Sequence, residues 1–125
     1  MVIVNAWLNQ ERDFNHGDAV SPPSHLAVGQ GTTAALATDT ALQTERFRKA
    51  FTNKLKPGVG QNEFQALITS TEQLVAWPVG TNVSETGNLT AASGGVLQFR
   101  QTFTAFARVA DTDYQFEVLA TRAQP

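Results

Sequence analysis

At 125 residues the chain is long enough for one domain with a real hydrophobic core. Its 42% hydrophobic and 16% charged residues exclude an intrinsically disordered chain, and a net charge of -2 excludes the basic footprint of a nucleic-acid binder. The absence of cysteine removes disulfides, thiolate metal sites and cysteine nucleophiles together. No apolar run approaches the roughly 20 residues of a membrane-spanning helix, so no membrane partner is expected. The start, Met1-Val2-Ile3-Val4-Asn5, lacks the basic and apolar regions of a signal peptide, and secretion by that route is not expected.

From Met1 to about Leu8, Val2, Val4 and Ala6 alternate with Ile3, Asn5 and Trp7, which predicts a half-buried strand. Asn9 to Ser24 is polar and aperiodic and runs into Pro22-Pro23, so it reads as an extended loop or arm. Residues 1–24 thus form an N-terminal strand and arm, and residues 25–125 a β-sandwich domain. His25-Leu26-Ala27-Val28 predicts a strand that ends in Gly29-Gln30-Gly31, where both glycines suit positive φ. Thr38 or Asp39 suits a helix N-cap, and about Asp39 to Glu45 predicts the one short helix, with Glu45 and Arg48 close enough to pair if it is helical.

Phe47, Phe51 and Leu55 fit a helix or a strand face equally by spacing; Thr52 and Asn53 favour a strand, which Lys56-Pro57-Gly58 ends. Phe64, Ala66 and Ile68 alternate with Gln65, Leu67 and Thr69, and Leu74 to Trp77 predicts a further strand stopped by Pro78. Ser93-Gly94-Gly95 turns into an alternating strand through Leu97, Phe99 and Phe103. After the polar turn Asp111-Thr112-Asp113, the residues Tyr114, Phe116, Val118 and Ala120 alternate again. Two long alternating runs around one turn predict a hairpin, and the whole predicts an all-β antiparallel sandwich or jelly-roll-like barrel.

Chemistry-bearing patterns are weak by comparison. Gly29-Gln30-Gly31 lacks both the third glycine of a dinucleotide fingerprint and the lysine of a phosphate loop, so no cofactor is expected. His16 and His25, with Asp13 and Asp18 nearby, match no familiar metal-ligand spacing. No nucleophile elbow is present, and nothing selects a catalytic pair from Glu63, Glu72, Glu85 and Glu117, so the chain does not read as an enzyme. Trp7, Trp77 and Tyr114 are candidates for stacking on a sugar, though large aromatics more often fill cores or anchor subunit contacts. Glu85 and Arg100 suit either a structural ion pair or hydrogen bonds to backbone groups at a strand crossing.

Several of these segments share an order. Leu26-Ala27-Val28-Gly29-Gln30-Gly31-Thr32-Thr33 is followed by Asp39-Thr40-Ala41-Leu42-Gln43-Thr44-Glu45 and Arg48. Then come Glu85-Thr86-Gly87, Ser93-Gly94-Gly95, and Arg100-Gln101-Thr102-Phe103. From Pro23 to Thr121 this resembles a family of small tailed-bacteriophage virion proteins often described as tail-fibre proteins. Thr86 and Asn88 depart from it, standing where apolar residues are expected, and Arg108 is only approximately in place.

The resemblance implies a non-enzymatic structural part of a virion, made and assembled in the host cytoplasm. It is either tail-fibre-associated or, alternatively, a capsid decoration protein. It implies Gly29, Gly31, Asp39, Glu45, Arg48, Glu85, Gly87 and Arg100 as scaffold residues. The expected partners are further copies of the chain in a trimer, other virion proteins, and a host-surface glycan if the aromatics serve as a carbohydrate-binding module. Val2, Val4, Trp7, Phe14 and Trp77 are the candidate contact residues, with the Met1–Ser24 segment as the element exchanged between subunits.

Overall fold

The computed structural model describes residues 1–72 and 75–121. Their elements are β1 (Val2–Ile3), α1 (Asn5–Asn15), β2 (His25–Gly29), β3 (Glu45–Ala50), β4 (Asn53–Leu55), β5 (Gln61–Ile68), β6 (Asn82–Leu89), β7 (Leu97–Ala107) and β8 (Tyr114–Thr121). They form two antiparallel sheets, β1-β7-β6-β2-β3 and β4-β5-β8, which makes the expected all-β sandwich with one short helix. The core between the sheets joins Leu26, Val28, Phe47 and Val83 of the first sheet to Ala66 and Ile68 of the second, with Trp77 beside them. A second cluster, Val4, Ala27, Leu42, Leu89 and Leu97, lies apart from it, with Ala6 and Trp7 against it. Ala27 alternates with Leu26 and Val28, so this cluster belongs to the opposite face of the larger sheet.

The helix is not where the sequence placed it. The N-terminal strand stops at Ile3, and residues 5–15 form α1 in place of an extended arm. No residue from Asn5 to Asn15 is β-branched, glycine or proline, and Ala6, Leu8, Gln10, Glu11 and Arg12 are strong helix formers. Trp7 Nε1 donates to Glu11 Oε1 at 3.0 Å, one turn on. Two backbone bonds close the C-terminus, from Gly17 N to Phe14 O and from Asp18 N to Asp13 O. That pattern needs the left-handed backbone that Gly17 adopts at φ +89°.

Residues 39–45 are not helical. Seven residues carrying two threonines cannot offset helix nucleation, and their amides bond elsewhere. Asp39 instead accepts the Leu36 N–H at Oδ2, 2.9 Å, inside a turn. The expectation around Phe47, Phe51 and Leu55 holds as two strands, β3 and β4, separated at Phe51-Thr52. Of the predicted strand at 74–77, Leu74 lies outside the described residues and Val75 to Trp77 form no strand.

The expected β7–β8 hairpin does not form. β7 pairs with β6 and β1, whereas β8 pairs with β5 in the other sheet. The six-residue connection, 108–113, therefore crosses between sheets. Arg108 enforces the crossing. Only 2% exposed, it donates from Nη1 to Trp77 O at 2.8 Å and from Nη2 to Thr69 O at 2.9 Å, with its guanidinium 5.1 Å from the Trp77 ring centroid. Its backbone bonds Gly80 and Thr81, so the end of β7 is tied to segments outside any hairpin.

Candidate functional site

Gly31, Gln43, Thr44 and Arg100 converge on one buried carboxylate. Glu85, on β6, has no exposed surface. Its Oε1 accepts N–H groups from Gly31 (3.0 Å) and Thr44 (2.7 Å), and its Oε2 accepts from Gln43 N (3.0 Å) and Arg100 Nε (2.8 Å). Arg100 Nη1 reaches Asp39 Oδ2 at 3.2 Å. Residues 30–44 leave the sheet after β2 and return at β3, and Glu85 closes the neck of that loop by supplying the acceptors that a strand ladder would otherwise supply. Gln43 Oε1 accepts from Thr32 N and Thr33 N inside the loop. Leu42 anchors the loop in the second cluster, and Ala37 O accepts the first amide of α1 from Asn5 at 2.7 Å.

Gly29 and Gly31 serve this clasp by closeness. Neither has positive φ, which corrects the reason expected from sequence. A Cβ on Gly29 would press into Thr44 O and lie 2.6 Å from Glu85 Oε1; one on Gly31 would lie 2.6 Å from the same carboxylate. Gly87 similarly leaves room for Phe99 O, 2.6 Å from where its Cβ would be. Glu45 and Arg48 do pair, at 2.7 Å, but on a strand whose register shifts beside Gly29, and Arg48 also donates to Ala91 O and Gly94 O in the predicted glycine turn.

The electrostatics point to scaffold chemistry. Burial pushes the Glu85 carboxyl upward, but the donors from Thr44, Arg100, Gln43 and Gly31 outweigh it and hold the acid below its ordinary range. The Lys49 hydrogen bond does the same for Glu72. A general acid needs the opposite shift. Burial, then the charges of Arg48 and Lys54, lower the pKa of His25, whose Nδ1 lies 2.7 Å from Ser24 Oγ. Among the described residues no group of three or more His, Asp or Glu side chains could hold a metal ion.

The candidate contact residues separate. Val4 and Trp77 are fully buried in the chain's own cores, and Val2 is half-buried in β1. Trp77 packs on Tyr114 at 5.2 Å and donates Nε1 to Thr81 O, so these two aromatics are engaged inside the fold and present no open stacking platform. Trp7 and Phe14 instead border a groove of about 1270 Å³ between α1 and the end of the smaller sheet, with Leu8, Leu55, Phe64 and Gln98 also lining it. Helix α1 has no buried residue; Phe14 is 65% exposed and Leu8 44%. Sequence reasoning missed Leu8, Gln43 and the role of Arg108. Only the helix had a legible signal, the eleven-residue run of helix-compatible residues.

No family model matches this chain, and no curated protein matches it.

Proposed function

We propose that this chain is a non-enzymatic accessory structural protein of a tailed-phage virion, a tail-fibre-associated or adaptor component. It assembles through copies of itself, with a trimer as the expected symmetry, and through neighbouring virion proteins. The observation that carries this reading is α1, which fully buries none of its residues within its own domain and leaves Leu8 and Phe14 exposed beside the groove. Apolar side chains gathered at a groove mark a surface for a neighbour. The clasp supports the reading from the other side, because its charged residues hold the loop and the lowered Glu85 carboxyl does not suit a proton donor. Capsid decoration would use the same contact chemistry.

The test is copy number per particle, by quantitative mass spectrometry of purified virions against the major capsid protein. The expected count is about a dozen or fewer, as for a part at the tail or a single vertex. Hundreds of copies would replace the tail reading with shell decoration, and absence from particles would end both.

A further inference from the structure

Each sheet ends in strands whose outer hydrogen-bonding groups have no ladder partner, and such edges invite pairing unless they are short, charged or bulged. Three of the four edge strands among the described residues are protected. β1 has two residues and β4 three. β3 has six, but Glu45, Arg46, Arg48 and Lys49 charge it heavily. The stretch of β7 that runs past β1 is broken in register opposite Val83–Glu85.

β8 differs on every count. It has eight residues without proline, Glu117 is its sole charge, and its register with β5 is unbroken from Tyr114 to Thr121. No described strand pairs with its outer side. Its inward side chains are also incompletely covered. Tyr114, Phe116, Val118 and Ala120 are half-buried, while their β5 counterparts Phe64, Ala66 and Ile68 are buried.

We propose that β8 is a self-association edge, pairing antiparallel with β8 of a second copy across a two-fold axis. A second copy is the occupant the chain itself specifies. Strand addition needs an open edge on both partners, and β8 is the long, regular and nearly uncharged edge among the described strands. A two-fold pair places one residue opposite itself, so inward side chains meet inward ones. Centring on Glu117 opposes like charges, which is unfavourable. Centring on Val118 separates them and still pairs Gln115 through Thr121. Phe116 then faces Ala120 of the second copy, large against small, and Glu117 faces Leu119. The two three-stranded sheets become one continuous sheet, and the half-covered inward faces gain apolar neighbours.

This inference rests on the self-assembly part of the proposed function and adds a two-fold contact to it, which closes a dimer or joins two of the expected trimers into a hexamer; its test is separate from the particle count. The chain contains no cysteine, so single-cysteine variants report one position each. Wild-type full-length protein is expected to sediment as a dimer, or as a larger even-numbered assembly, in analytical ultracentrifugation. Val118→Cys is expected to form a covalent dimer under mild oxidation, because directly opposite residues lie within disulfide reach. Gln115→Cys, whose two copies would be separated by about 20 Å along the strands, is expected to remain largely uncrosslinked. A wild-type monomer or lone trimer at about 100 µM, where a micromolar contact would be filled, overturns the proposal. So does an assembly in which Gln115→Cys crosslinks as fully as Val118→Cys, or in which Val118→Cys does not crosslink.

Discussion

Glu85 shows how one buried charge can do the work of several ladder bonds. With no exposed surface, its carboxylate accepts from three backbone amides and from Arg100 Nε. Removing one partner of a buried pair costs about 3–5 kcal/mol because the other is left uncompensated. Glu85→Ala is therefore expected to lower stability by that amount in urea titration, and a loss below about 1 kcal/mol would show that the clasp does not hold the loop. The pH dependence follows from the lowered acid. A carboxyl whose folded pKa lies below its unfolded value stabilises the fold fully above the ordinary value of 4.5, and loses that contribution as pH falls through the folded value. Wild type should thus lose stability below pH 4.5 more steeply than Glu85→Gln, which cannot titrate there. At Gly29 the constraint is space: Gly29→Ala should cost about 1–3 kcal/mol, by overpacking against Thr44 O and Glu85. An unchanged midpoint would show that the neck of the loop can relax.

At the scale of elements, alternation is a strong guide to faces and a poor one to partners. β5, β7 and β8 all stand where alternating residues predicted strands, yet the two longest-sighted runs pair with different sheets. A period of two says which side chains point inward, whatever strand lies alongside. Arg108 sits at the crossing, its buried cation met by carbonyls of Trp77, Thr69 and Ser70 and by the Trp77 face, and is expected to hold it. Arg108→Met keeps much of the apolar stem but leaves those carbonyls without a donor. The expected loss is about 3 kcal/mol, read as a lowered thermal midpoint, with near-ultraviolet circular dichroism reporting the Trp77 environment. A variant as stable as wild type would remove Arg108 as the cause of the crossing. The helix was misplaced for a related reason. Val2, Val4 and Ala6 alternate, but alternation over so few residues cannot outvote a following run without β-branching.

For the whole molecule, the sequence by itself determined the class: a chain of alternating segments and glycine turns that closes into an antiparallel sandwich. It also determined which residue types would serve as scaffold, since Glu85 with Arg100 and Glu45 with Arg48 do pair. The tertiary structure alone decided that Asp39 joins Arg100 and leaves no helix, that Val4 and Trp77 lie inside, that α1 has no buried residue, and that β8 stands at a sheet edge. The reason is physical. Periodicity and propensity are local and act through a residue's own backbone. Which edge finds a partner, and which buried charge finds donors, depends on groups more than 40 residues away along the chain, as Thr44 is from Glu85.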